Sequence, residues 1–374
     1  MEQITSFNPP HRILMGPGPS DVPQRILDAS ARPTIGHLDP EFIHLMDEIK
    51  QLLGFAFRTE NRLTMPISAP GSAGMEACFV NLVEPGDKVL VCINGVFGNR
   101  MVENVNRCGG VAITVDDEWG KPVDPQKVED ALKADPEIKV LAFVHAETST
   151  GVRSDAAALA SLGKEHGCLV IADTVTALGG IDVRIDDWRI DASYAGTQKC
   201  LSCLPGVSPV TFSDEAAAKL SNRKQPVQSW FLDMNLVMAY WDDTTAQRSY
   251  HHTAPINALY ALHESLIMLQ EEGLEAAFAR HKAMHDKLKE GLGGLGMEFL
   301  VEPEYQLPQL NLVCIPDGVD DAAVRNQLLE EYDLEIGAGL GGLAGKVWRI
   351  GLMGNSATEK NVNACVSALA NIIE

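Results

Sequence analysis

Lys199 stands in Gly196-Thr-Gln-Lys-Cys-Leu-Ser-Cys-Leu-Pro-Gly206, a run of mostly small residues between two apolar stretches. A lysine in such a loop must be solvated, paired or put to use. Taken alone it reads as an ordinary surface residue. Other residues suited to chemistry fall at the ends of apolar runs. Cys168-Leu-Val-Ile-Ala-Asp173 closes on a carboxylate. Asp173 either caps the next turn or lies where a cationic ring nitrogen needs a partner. Val140-Leu-Ala-Phe-Val144 runs straight into His145, Glu147, Thr148, Ser149 and Thr150, more polar groups than a solvated loop requires. Met65-Pro-Ile67 leads toward Pro70-Gly71-Ser72, and a helix is predicted over Ala73–Val83. Small residues at a helix start leave backbone N–H groups free to face an anion, and Ser72 adds a hydroxyl. Phe97, in Asn94-Gly-Val-Phe-Gly-Asn-Arg100, is either core or a flat surface for an aromatic ring.

A nucleophilic lysine, a carboxylate for a ring nitrogen, a phosphate cradle and a stacking aromatic together describe one cofactor, pyridoxal phosphate. Its aldehyde forms a Schiff base with a lysine. The carboxylate keeps the pyridine nitrogen protonated, so the ring can accept the electrons left when a Cα proton departs. Arg349 adds a fifth element. It lies in the apolar run Val347-Trp-Arg-Ile350, where an unpaired guanidinium is costly. Its fork suits either a buried Asp or Glu or a substrate carboxylate.

These residues need an α/β frame. Apolar, β-branched runs at Lys88–Ile93, Val111–Val115, Val140–Val144, Leu169–Ala172 and Val207–Phe212 alternate with amphipathic stretches such as Pro125–Ala134 and Ala156–His166. That pattern predicts a mostly parallel sheet covered on both faces. Ligands of such sheets sit beyond the carboxyl ends of the strands. Residues 1–20 form an extended arm, whose Pro and Gly content predicts no regular element. A large domain is expected over 21–272 and a smaller α+β domain over 273–374, with a helix break at Gly273. Gly337-Ala-Gly-Leu-Gly-Gly342 fits a dinucleotide-binding fingerprint. The residues after it read as loop and strand, not helix, so it is taken as a flexible lead-in to the Arg349 strand.

Composition excludes several classes. The net charge of −21 disfavours nucleic acid and anionic membranes, and requires a locally positive pocket for any anionic ligand. No apolar run approaches a membrane span, and the first residues lack a secretory pattern. The eight cysteines lie mostly in apolar segments, as reduced buried thiols do. The chain is therefore expected in the cytoplasm. Cys200 and Cys203 form one CxxC, which suits a redox pair or half a zinc site. No second pair completes a tetrahedral metal set, and no metal is expected.

Gly16-Pro-Gly-Pro-Ser20, His145-Ala-Glu-Thr-Ser-Thr-Gly151, Ala172-Asp-Thr-Val175, Gly196-Thr-Gln-Lys199, Tyr250-His-His-Thr253 and Val347-Trp-Arg-Ile-Gly-Leu-Met-Gly354 occur in this order. With them the chain resembles the class V aminotransferases, fold-type I pyridoxal-phosphate enzymes, and most of all the alanine–glyoxylate and serine–pyruvate type. The resemblance implies a homodimer with active sites shared across its interface, acting on small amino acids and 2-oxo acids. It makes Lys199 the Schiff-base residue and Asp173 the ring-nitrogen partner. Val175 is implied to pack on the ring, with Thr148 near the ring oxygen and Gln198 beside the phosphate. Pro70, Gly71 and Ser72 form the phosphate loop, and Tyr250 and Thr253 reach the phosphate of the partner's cofactor. Arg349 binds the substrate carboxylate, and Gly36 and the arm border the substrate. Two positions depart from the family pattern. Phe97 stands where Trp is frequent, and Pro70 where Ser is usual. The alternatives are another reaction of the same cofactor, such as ureidoglycine transamination, a lyase or a desulfurase, or a non-catalytic binding protein of this fold.

Overall fold

The computed structural model describes residues 4–241 and 248–373. It starts with β1 (Ile13–Leu14), α1 (Gln24–Ser30) and α2 (Pro40–Phe57). Strands and helices then alternate: β2 (Leu63–Ile67), α3 (Gly71–Leu82), β3 (Lys88–Ile93), α4 (Val96–Arg107), β4 (Val111–Asp116), α5 (Pro125–Ala134) and β5 (Ile138–Val144). A short hairpin, β6 (Ala146–Glu147) and β7 (Val152–Arg153), precedes α6 (Ala156–Glu165), β8 (Leu169–Asp173), β9 (Ala192–Tyr194) and β10 (Ser208–Phe212). Then come α7 (Asp214–Ser221), α8 (Met234–Trp241), α9 (Ile256–Glu272) and α10 (Leu274–Gly294). The last part holds β11 (Leu310–Cys314), α11 (Asp321–Glu331), β12 (Leu334–Glu335), β13 (Gly337–Ala338), β14 (Val347–Gly351) and α12 (Glu359–Ile373).

The main sheet has seven strands in the order β2-β10-β9-β8-β5-β3-β4. Only β10 runs antiparallel to its neighbours; β9, β8, β5, β3 and β4 pair in parallel. Five of the helices start where the sequence provides a cap. Asp39, Asp124, Asp155, Ser213 and Asp320 each accept from a first-turn amide of the helix they precede. Helix α2 buries Phe42, Met46, Ile49, Leu53 and Phe57, and packs on α9. Each such large side chain contributes about 1.5–3 kcal/mol by leaving water.

Apolar side chains form two clusters. The larger surrounds the main sheet and contains Phe79, Val91, Phe143, Ile171 and Tyr194. The smaller joins Leu288, Val313, Leu328, Trp348, Ile350 and Leu369 with Met15 from the arm. Helices α9 and α10 meet at Gly273, whose φ of 83° suits glycine. Among the described residues no helix is long and apolar enough to cross a membrane.

Two expectations need correction. The arm is not wholly irregular: Ile13–Leu14, ahead of its Pro and Gly run, pair in parallel with Leu334–Glu335. Nor are Gly337 and Ala338 a mere lead-in, for they form an edge strand opposite Arg349 and Trp348. The carbonyl of Ala338 accepts from Arg349 Nε at 2.7 Å, so this glycine-rich run helps to hold the arginine.

Candidate active site

The sheet register brings the predicted strand-end residues to one level. Val144 pairs with Asp173, and Asp173 with Tyr194. Two residues past Tyr194 begins the lysine loop, which is closed on itself. The Thr197 hydroxyl donates to Leu204 O at 2.6 Å, and Cys203 N donates to Thr197 O at 3.0 Å. The arm clamps this loop from outside. Ser20 N donates to Gln198 O at 3.0 Å, and the Ser20 hydroxyl donates to Lys199 O at 2.8 Å. The Lys199 amine donates to Pro17 O. A Cβ built on Gly18 would lie 2.6 Å from Lys199 Nζ.

Burial lowers the Lys199 pKa from 10.5 to about 8; Arg349 acts in the same direction, and the Cys200 thiol and Asp173 act against it. Asp173 shifts the other way. Burial pushes its carboxyl up to about 7, although Val175 N and the Tyr194 hydroxyl each donate to it at 2.8 Å. The carboxylate is desolvated and held by two donors, and among the described residues no cation pairs with it within 4 Å. A positive group brought beside it gains a partner already desolvated and aligned.

Thr148 and Arg349 meet. The Thr148 hydroxyl lies 2.7 Å from that of Thr176, and Arg349 Nη1 donates to Thr148 O at 3.4 Å. Arg349 forms no ion pair with any described carboxylate within 4 Å. The buried Asp or Glu partner that its fork also suits is absent among the described residues. Burial lowers its pKa to about 10, against which the Glu147 charge acts. Phe97 lies in the first turn of α4, its amide donating to Glu147 at 3.2 Å, with the Arg100 guanidinium 4.8 Å from its ring centre.

The phosphate-loop residues open α3. Pro70 precedes it and gives no capping side chain. A Cβ at Gly71 would meet Val175 Cγ2 and Ala195 O at 3.5 Å, so the start of α3 faces the strand end that carries Val175. A Cβ at Gly196 would lie 3.1 Å from Gln198 Oε1 and 3.3 Å from Val175 Cγ1. That Gln198 oxygen is buried and has no hydrogen-bond partner among the described residues. Ser72 is exposed and borders a cavity of about 530 Å³ that Arg100 and Arg107 also line.

Three predicted residues stand apart. Tyr250 is 62% exposed, its hydroxyl 3.4 Å from that of Thr253, which is also exposed. Gly36 lies between α1 and α2, and the nearest atoms to a Cβ there belong to Asp39. A groove of about 900 Å³ is lined by Lys50, Arg58, Asn61 and Asp186, among others, and contains none of the predicted site residues. Cys200 and Cys203 are buried thiols whose pKa values burial pushes up to about 12, the reverse of a reactive redox pair. Sequence reasoning misses Tyr194, Thr176, Pro17 and Gly18. The first two become visible only once strand pairing is known. The glycine of Gly16-Pro-Gly-Pro-Ser20 signals a tight backbone, but not what that backbone touches.

The sequence model of the class V aminotransferases matches residues 15–364. An alanine–glyoxylate aminotransferase of Oryctolagus cuniculus is 37% identical over 98% of this chain and 93% of its own length. The solved structure of an alanine–glyoxylate aminotransferase from Nostoc sp. superimposes with a TM-score of 0.97 at 45% identity, covering 100% of this chain and 98% of that one. That of a ureidoglycine–glyoxylate aminotransferase from Bacillus subtilis gives 0.96 at 36% identity, covering 99% and 94%. Likeness of this extent, end to end in both sequence and fold, places the chain in the class V aminotransferase family.

Proposed function

We propose that this transaminase uses pyridoxal phosphate to move an amino group from a small amino acid, alanine or serine, to glyoxylate or pyruvate. The observation that carries this reading is Lys199, an amine lowered to about 8, in the loop that follows β9, whose Tyr194 pairs with the buried Asp173. The residues present fit the coenzyme. Lys199 would hold its aldehyde and Asp173 its ring nitrogen. Val175 and Phe97 would cover the ring faces, and Thr148 would face the ring oxygen. Pro70, Gly71, Ser72 and Gln198 would hold the phosphate. The orphaned Gln198 oxygen and the uncapped start of α3 support that last assignment.

Bound there, the coenzyme supplies an electron sink for the charge left at the substrate Cα. Lys199 does the proton work. With a pKa of about 8, Nζ is substantially a free base in mildly alkaline solution, so it can take the Cα proton and later return one. Asp173, ionised beside a cation, keeps that cation protonated. Arg349 presents its fork to the substrate carboxylate. Amino acids and 2-oxo acids share that carboxylate, so one arginine serves both halves of a ping-pong cycle. Gly36 and the arm residues are assigned to the border of the substrate.

The reading includes a homodimer. Tyr250 and Thr253 are assigned to the phosphate of the partner's coenzyme. Their exposure, next to Trp230 at 64%, supports a surface made for a second copy. Residues 21–272 are assigned to the large domain and 273–374 to the small one, with 1–20 as the arm; the two apolar clusters and the break at Gly273 support this division. The cytoplasm is the assigned compartment, which the free cysteines suit.

The likeness to the Bacillus subtilis enzyme favours a second reading, with (S)-ureidoglycine as donor and glyoxylate as acceptor. A donor panel separates the two. Alanine, serine and (S)-ureidoglycine are offered with glyoxylate or pyruvate, and Lys199→Ala serves as the blank. Turnover with alanine or serine is expected. Turnover with (S)-ureidoglycine alone would replace the first reading by the second, and turnover in the blank would overturn the role of Lys199.

A further inference from the structure

Helix α4, which carries Phe97, is capped from a distant part of the chain. It begins after Gly95, which has no side chain to cap it. Its first amides turn instead to the loop after β6. Val96 N donates to Ser149 Oγ at 2.9 Å, and Phe97 N donates to Glu147 Oε2 at 3.2 Å. Glu147 Oε1 in turn accepts from Ser149 N at 3.0 Å and from the Ser149 hydroxyl at 2.5 Å. Glu147 and Ser149 are both fully buried. A Cβ on Gly95 would lie 2.4 Å from Glu147 Cδ, so only glycine there lets the carboxylate reach the helix.

Glu147 commits a fully buried carboxyl to this task. All these contacts point donors at its oxygens and favour the ionised form, against the burial that pushes its pKa up. No described cation pairs with it within 4 Å. Burying an ion without a counter-ion costs stability, so packing alone does not explain it. Its neighbours do. Thr148 sits between Glu147 and Ser149, and its carbonyl accepts from Arg349. Phe97 hangs from the helix that the carboxylate caps.

We propose that Glu147 is a positioning residue for transamination, locking Phe97, Thr148 and Arg349 into one rigid unit. The unit fixes the ring face, the ring-oxygen contact and the substrate's carboxylate clamp in a single register. This rests on the coenzyme reading given above.

Two variants test it. Glu147→Gln keeps the shape but turns an N–H2 toward a donor. Ser149→Ala is milder and keeps the carboxylate. The readouts are hydrogen exchange of the amides at 96–98, pyridoxal-phosphate affinity, visible circular dichroism of the loaded protein, and KM against kcat for L-alanine. Exchange is expected to quicken in both variants. Coenzyme Kd and alanine KM should each rise about tenfold in Glu147→Gln and less in Ser149→Ala, with an altered visible dichroism. A lower melting temperature with unchanged dichroism and unchanged KM overturns the proposal, because that is all a structural role would give. Wild-type protein that takes up no coenzyme sinks the underlying reading and this proposal with it. Normal uptake by wild type and both variants, with unchanged exchange, sinks this proposal alone.

Discussion

Gly18 lies so close to Lys199 that a methyl group on its Cα would sit 2.6 Å from the amine nitrogen. Its φ of 101° is one that L residues rarely adopt. The neighbouring Pro17 carbonyl accepts from the same amine, and Ser20 holds the backbone of the lysine loop. The arm is thus a wall of the site. Gly18→Ala meets both obstacles, backbone strain and collision. It should cost about 1–3 kcal/mol of stability and weaken coenzyme binding about tenfold. Urea unfolding and a spectral titration measure the two. Wild-type values in both would mean that the arm yields freely.

Asp173 makes the coenzyme-free protein sensitive to pH. Burial raises its folded pKa to about 7, while the unfolded chain keeps the ordinary value of 3.8. Between these values the folded chain retains a proton that the unfolded chain has released. Its contribution to stability therefore falls as pH rises from about 4 to about 7, then stays flat. Asp173→Asn removes that slope. The variant should be the more stable apoprotein at pH 8 by on the order of 4 kcal/mol, and no more stable at pH 4. Coenzyme affinity should move the opposite way, because a cationic ring nitrogen loses its partner. Denaturant midpoints at pH 4, 6 and 8 decide it; an equal gain at all three would place the effect elsewhere than in titration.

The parallel sheet is legible in the sequence as apolar runs alternating with amphipathic stretches, and Asp173 and Lys199 stand out as charged groups beside such runs. Arg349 stood out likewise, as a cation inside a strand. The features that escaped depend on pairing across the chain. Tyr194 belongs to a strand of three residues, and its bond to Asp173 exists only through the register between β8 and β9. Helix α4 has no local start signal, since its cap comes from Glu147 and Ser149, some fifty residues on. The contact of Gly18 with Lys199 joins the first and middle parts of the chain, beyond any local pattern. Glu147 was visible as one polar residue among several, and its partners were not.

Arg349 should discriminate by charge on the substrate. Its fork has carbonyl partners at Ala338 and Thr148 but no described ion pair within 4 Å, so a carboxylate adds what the site lacks. Arg349→Ala should lower kcat/KM for alanine by about 2–5 kcal/mol of transition-state energy. Arg349→Lys should recover only part of it, because an ammonium cannot make the bidentate contact. An amine lacking the carboxylate should react equally slowly with all three proteins. A variant whose kinetics with alanine match wild type would refute the assignment.

Shared sites can be tested by mixing subunits. If Tyr250 serves the partner's coenzyme, it and Lys199 of one chain belong to different sites. Lys199→Ala protein should be inactive, and Tyr250→Ala should bind coenzyme poorly. A dimer with one copy of each then contains one site with both defects and one with neither. Unfolding and refolding the two together in equal amounts makes about half the dimers mixed, so activity should return to about a quarter of wild type. The recovered activity should also show wild-type coenzyme affinity, because it arises from intact sites. If Tyr250 instead acted within its own chain, every site in the mixture would carry one defect or the other, and no activity beyond the sum of the two parents would appear.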